Sequence, residues 1–204
     1  MKPYITSVVT AAPTRDLVVL ADVREQLRLK PNDTANDVWL GKVISRSSRQ
    51  VERYCNRIFV SQTYQDTFGI TYGDPGTPLM LGQAPVTVTL VTVDSTALDP
   101  SAWIADPLPG LLYQTIAPRQ WVSTDSIIVQ YTGGFSPIPD DVQQAVIELC
   151  VGDNSGRGRD PMLRAKETPN LGREEFWVGG LPGGLGIPMD IAALLNPYRR
   201  GLIG

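Results

Sequence analysis

The sequence predicts an α+β fold: a small helical bundle built on one long helix, with a β-rich insertion between the second and third helices and an extended C-terminal arm ending in a short helix. Three observations carry this prediction. An apolar stripe of helical period runs through residues 34–56, valine and threonine alternate from Val86 to Val93, and glycine and proline crowd residues 157–186. On this reading residues 1–156 form the helical core with its insertion at about 61–135, and residues 157–204 form the arm.

The first helix is expected from about Leu20 to Leu29, where Leu20, Val23 and Leu27 recur at three- and four-residue spacing. Asp22 and Glu25 fall in its first turn, where negative charge suits the helix dipole, and Lys30-Pro31-Asn32-Asp33 makes a turn after it. The second helix, from about Thr34 to Asn56, is the spine. Leu40, Val43, Ile44, Ser47, Val51, Tyr54, Cys55 and Ile58 trace one face, while Lys42, Arg46, Arg49 and Arg53 occupy the other.

The period then changes. Gln62 to Phe68 reads as a strand, Gly73 to Pro78 as a loop, and Val86 to Val93 as a half-buried strand whose phase slips at Leu90-Val91, as a bulge would make it. Further strands are expected around Ala102–Ile104, Leu111–Tyr113 and Ser126–Tyr131, the last closed by Gly133-Gly134. A third helix opens at Pro139-Asp140-Asp141, buries Val142, Ala145, Val146, Leu149 and Cys150, and ends at Gly152 to Gly158. The arm follows, with at most a short strand at Glu175–Val178, and a last helix is expected from about Met189 to Leu195.

Composition narrows the function classes. With 204 residues, 42% hydrophobic and 19% charged, the chain can bury one sizeable core, or one core and a small lobe. No apolar run is long enough for a membrane span, and residues 1–10 lack the features of a secretion signal, so no membrane role is expected. A net charge of −3 argues against a nucleic-acid clamp, which would carry a basic excess. Cys55 and Cys150 lie far apart and outside any CxxC spacing. Two reduced cysteines in a core are the simpler reading, and a disulfide is the alternative.

There is no histidine, which removes the commonest general base and the commonest metal ligand together. The glycine run Gly179 to Gly186 lacks the GK[ST] signature and the strand–helix context of a phosphate loop, so it reads as linker. Ser136 and Ser155 do not occupy a GxSxG elbow. The adjacent acids Asp140-Asp141 are dipole complements rather than a catalytic dyad, because neighbours on a helix do not face each other. Neither these nor Glu174-Glu175 suggest chemistry, so no catalytic residue, cofactor or metal ligand is expected. The basic face of the long helix, Arg46, Arg49, Arg53 and Arg57, has three readings. It is a solvated surface, a contact with carboxylates of a neighbouring subunit, or, ranked last, a DNA contact.

The order of segments is more specific than any one of them. Leu20-Ala21-Asp22-Val23-Arg24-Glu25-Gln26-Leu27-Arg28-Leu29 precedes an Asp/Asn-rich turn. A long helix ending Val51-Glu52-Arg53-Tyr54-Cys55-Asn56-Arg57 follows, and then a strand starting Gln62-Thr63-Tyr64. Ile128 to Phe135, the helix opening at Pro139, and the ending Ile187-Pro188…Leu194-Leu195-Asn196-Pro197-Tyr198-Arg199 continue the series. The chain thereby resembles the head–tail connector (adaptor, or head-completion) family of long-tailed phages over about residues 17–151 and 187–200. It departs from that family at Val19, where a capping Ser or Thr is common, which would start the first helix a turn later.

The resemblance implies a structural role and no enzyme activity. The expected assembly is a homo-oligomeric ring of about a dozen copies, docked below the portal protein and joined to a stopper or other neck or tail protein. Such a ring belongs to the neck of a virion or phage-like particle assembled in the bacterial cytoplasm. On this basis Ile191, Leu194, Leu195 and Tyr198 are expected to dock on the portal, with Arg199 and Arg200 pairing at the rim. DNA is expected to pass through a lumen lined by acidic or neutral side chains, without sequence-specific binding, and the arginines of the long helix should lie outside it. The competing readings are a stopper or tail-completion protein, which would show little helix, and a small-molecule-binding module, for which no site is visible.

Overall fold

The computed structural model describes residues 5–69, 71–72, 76–116, 119–157, 165–168, 172–175 and 186–200. The chain divides into two compact units, one formed by Met1–Thr14 and Ile58–Pro137, the other by Arg15–Arg57 and Ile138–Gly204.

The first unit is built of strands: β1 (Ile5–Thr10), β2 (Gln62–Phe68), β3 (Thr71–Tyr72), β4 (Leu79–Met80), β5 (Val86–Val93), β6 (Thr96–Ala97), β7 (Trp103–Asp106), β8 (Leu111–Gln114), β9 (Val122–Ser123) and β10 (Ile127–Gly133). An antiparallel sheet runs in the order β1-β2-β10-β5-β6, a second in the order β4-β8-β7, and β3 pairs with β9. The period of two decides the faces. Gln62, Tyr64, Asp66 and Phe68 of β2 turn inward, as do Ile127, Val129, Tyr131 and Gly133 of β10. Register places Tyr64 opposite Tyr131, and their rings stack with centroids 5.7 Å apart. Around them Phe68, Leu79, Leu81, Val91, Leu112 and Trp121 close a core.

Two polar devices shape this unit. The buried carboxylate of Asp66 accepts from the Gly82 amide at 2.6 Å and from the Tyr131 hydroxyl at 3.0 Å, pinning the 81–84 loop to the sheet. The β5–β6 turn places Asp94 and Ser95 at positive φ, the conformation two-residue hairpins prefer. The expected bulge is present one residue earlier than its phase slip: Gln130 pairs with Leu90 and Tyr131 with Val88, leaving Thr89 as the extra residue.

The second unit holds α1 (Leu20–Gln26), α2 (Asp37–Cys55), α3 (Asp140–Ser155), a two-stranded sheet of β11 (Ala165–Thr168) and β12 (Gly172–Glu175), and α4 (Met189–Leu195). α2 buries Leu40, Val43, Ile44, Val51 and Cys55 and packs against α3, whose inner face is Val142, Ala145, Val146 and Cys150. Asn56, at φ 49°, stops α2 in a left-handed cap. There the Arg57 amide donates to the Glu52 carbonyl and the Asn56 amide to that of Arg53. α1 begins at Leu20 despite Val19, which caps with its backbone alone. α3 runs three residues past Gly152, through Asp153, whose carboxylate meets Arg46 of α2 at 2.6 Å.

The expected helical bundle built on one long helix is overturned. Among the described residues the fold is mixed, with a five-stranded antiparallel sheet, a three-stranded sheet and four α-helices. The strands do not decorate a bundle. They close their own core around Trp121, Tyr64 and Tyr131, and they recruit residues 5–10 as an edge strand. The conformation expected for the arm at 157–186 lies largely outside the described residues. Of the strand expected at Glu175–Val178, only Glu175 falls inside them, at the end of β12.

Candidate partner-docking surface

α4 follows from its sequence: Pro188 sits before the first turn, Asp190 complements the dipole, and Ile191, Ala192 and Leu195 share one buried face. That face lies within the helical unit, packed against α3. The Cys55 thiol, at the end of α2, donates to the Leu195 carbonyl at 3.8 Å, and the Arg200 amide donates to the Cys55 carbonyl at 2.9 Å. The Tyr54 hydroxyl donates to Asn196 Oδ1 at 3.1 Å, and the Arg199 guanidinium lies 4.8 Å from the centroid of the Tyr54 ring. Residues 189–200 are thus fastened to the C-terminal end of α2, where a helix favours positive charge.

This places together two sets of residues that the sequence leaves apart. Arg57, just past the end of α2, joins Arg199 and Arg200 from the C-terminal segment, while Arg53 in the last turn of α2 donates to the Arg49 carbonyl at 3.4 Å. Arg53 and Arg199 are exposed, Arg57 and Arg200 half-buried. Burial first, and the nearby charge of Arg200 second, pull the Arg57 pKa down. Burial pushes the Cys55 thiol up to about 12, against the pull of Arg57 and Arg199. Tyr198, half-buried, donates to Asp141 at 3.3 Å, and partial desolvation followed by that carboxylate's charge raises its pKa. Leu194 is half-buried, whereas Ile191 and Leu195 are buried.

Arg46 and Arg49, the other two arginines of the predicted basic face, pair with acids of the helical unit. Arg46 pairs with Asp153. Arg49 donates to the Arg15 carbonyl at 2.8 Å and to Glu52 at 3.2 Å. Glu52 is buried and also meets Arg15 at 2.6 Å, so one carboxylate gathers two arginines. Sequence reasoning missed Arg15, Glu52 and Tyr54 as organisers. The available signal was an acid on the inner side of an arginine-bearing helix, which requires a cation within reach.

Among the described residues no group of three or more His, Cys, Asp or Glu side chains could hold a metal ion, and no helix is long and apolar enough to cross a membrane. Cys55 and Cys150 are free and buried. The arrangement offers a basic, partly aromatic surface suited to binding carboxylates.

A family model described as head completion protein matches residues 16–151. No curated protein matches the chain. Among solved structures, a chain in the neck of an empty GTA particle, computed with C6 symmetry, is 21% identical with a TM-score of 0.60. The match covers 98% of each chain. A chain in the virion of a native gene transfer agent particle is 22% identical, with a TM-score of 0.59 and the same coverage. A chain in the neck of a native GTA particle, computed with C12 symmetry, is 20% identical at a TM-score of 0.56, again over 98% of each. At these identities the likeness establishes a common fold.

Proposed function

This chain belongs to the head completion protein family, and on that ground we propose that it is a structural head–tail adaptor of a phage-type particle. It forms a ring below the portal, joins the portal to the stopper or next neck component, and leaves a channel for DNA. The observation that carries this reading is the family match across residues 16–151, which spans α1, α2, most of α3 and the strands β2 to β10. The neck and virion particles that hold chains of the same fold support it, and a ring of about a dozen copies agrees with the twelvefold symmetry of one of them.

Within that role the proposed portal contact is the outer side of the C-terminal segment. Leu194, Tyr198, Arg199 and Arg200 meet the portal, while Ile191 and Leu195 hold the segment in place from inside. Arg53 and Arg57 extend the same basic surface toward carboxylates of a neighbouring subunit or the portal. Arg46 bridges α2 to Asp153 of α3, and Arg49 ties α2 to the Arg15 carbonyl and to Glu52. The lumen is acidic or neutral, because a basic lining would retain the phosphates of passing DNA. No catalytic step is assigned.

Complementation tests this role. Particles made without the protein should be filled heads that lack tails, and adding the purified chain should restore tail joining. Tailed particles formed in its absence would rule the role out.

A further inference from the structure

β1 is an edge strand that, among the described residues, pairs with β2 alone. All six of its residues are exposed, including Ile5, Val8 and Val9. A strand edge presents a row of N–H and C=O groups able to pair with another strand. Proteins that must not pair there guard the edge with lysine, proline or an inward charge. β1, Ile-Thr-Ser-Val-Val-Thr, carries none of these. Its register shift lies near its end, between Val8 and Thr10, so residues 5–8 keep a regular ladder.

A second observation supplies the occupant. β11 and β12 pair with each other and with no other described strand. A lone two-stranded hairpin is marginal in water and gains stability from a third strand. Among the described residues the chain therefore carries an unguarded edge and a separate hairpin whose outer edges pair with no other strand.

We infer that in the assembled ring the β11–β12 hairpin of one copy adds to the β1 edge of the next copy through main-chain hydrogen bonds. The inference rests on the adaptor reading, since the ring is what brings a second copy alongside. The two surfaces differ, so the contact is head-to-tail, the type that closes into rings rather than stopping at a pair. Charge permits it: β1 carries no charged residue that could repel an incoming strand. Size sets the context. A single short edge buries far less than the roughly 1,200–2,000 Å² of a stable interface, so it does not hold free copies together. It orders the hairpin in a ring already assembled on the portal, where effective concentration is high.

Disulfide trapping in assembled particles tests the contact. The native thiols Cys55 and Cys150 are buried, so introduced cysteines report alone. Ile5→Cys, Ser7→Cys or Val9→Cys on β1 is combined with Lys166→Cys or Glu174→Cys on the hairpin, in the full chain. Particles are then purified and mildly oxidised. At least one combination should give a ladder of covalent multimers that each single variant lacks. A β1 variant giving dimers by itself would show β1–β1 pairing instead, and overturn the inference. A shifted monomer band with no ladder would place the hairpin on its own chain's β1, and also overturn it. The protein present in particles without any ladder would refute this contact alone, whereas its absence from particles would refute the adaptor reading and this contact with it.

Discussion

The guanidinium of Arg199 stacks on the ring of Tyr54, and through this contact the C-terminal segment and the long helix share one basic surface. If that surface docks the portal, the two residues act together. Tyr54→Ala should weaken capture of the portal ring even though Tyr54 itself is half-buried, because Arg199 loses the platform that orients it. Tyr54→Phe keeps the ring and should retain most of the affinity. In a double-mutant cycle measured by calorimetry, Tyr54→Ala and Arg199→Ala should couple by about 0.5–1 kcal/mol. Additive losses would mean that the stacking does not organise the contact.

Glu52 is the buried acid between Arg15 and Arg49. Glu52→Ala leaves two cations without their partner, and breaking such a pair costs about 3 kcal/mol at the lower end of the usual range, since both arginines are partly solvated. The denaturation midpoint should fall by that amount with the slope unchanged. A loss below about 0.5 kcal/mol, the size expected of a surface pair, would show that the triad is a surface feature.

The two thiols report on pH. Burial pushes Cys55 up to about 12 and Cys150 up to about 11, against 9.0 for a free thiol. The folded state therefore holds these protons more tightly than the unfolded chain does. The stability so gained is complete below about pH 9 and is lost as pH rises through 11 and then 12. Both thiols should be unreactive toward iodoacetamide at pH 8 and react at once in denaturant. Fast labelling of the native protein would show that the helical unit opens locally at the α2–α4 junction or at the α2–α3 interface.

Asp94 gives a local signal at the opposite end of the pH scale. Its carboxylate accepts from the amides of Thr124, Asp125 and Ser126 and from the Thr124 hydroxyl, and these bonds, the Thr124 amide foremost, lower its pKa. A lowered folded pKa means that the contribution is present above the ordinary aspartate range and lost as pH falls through the folded value. Amide-exchange protection at residues 124–126 should drop in acid and be absent in Asp94→Ala at neutral pH. Protection unchanged in that variant would show that the β5–β6 turn does not tether the loop.

Much of the local structure was legible in the sequence. The strand Gln62–Phe68, the strand Val86–Val93 and the helix Met189–Leu195 stand as the residue pattern predicts, because alternation or a clear apolar stripe marks each. What failed was the architecture. Pairs such as Leu79–Met80 and Thr96–Ala97 are too short to show a period, and β1 is exposed on both faces, so no pattern distinguishes it from a loop. Without those pieces the strands read as an insertion instead of a unit with its own aromatic core. The arginine surface was half legible. The charges are visible on α2 and at Arg199-Arg200, but their meeting depends on the Cys55–Arg200 and Tyr54–Asn196 hydrogen bonds, which link residues more than 140 positions apart.

The adaptor role is tested most directly by native mass spectrometry of the cognate portal ring before and after this protein is added. A mass gain equal to about a dozen copies of the chain, lost when Arg199 and Arg200 are both reversed to glutamate, is the expected result. A portal ring that gains no mass while the chain remains a monomer would contradict the adaptor role itself. A full gain with the reversed variant would keep the role and move the portal contact away from the C-terminal segment.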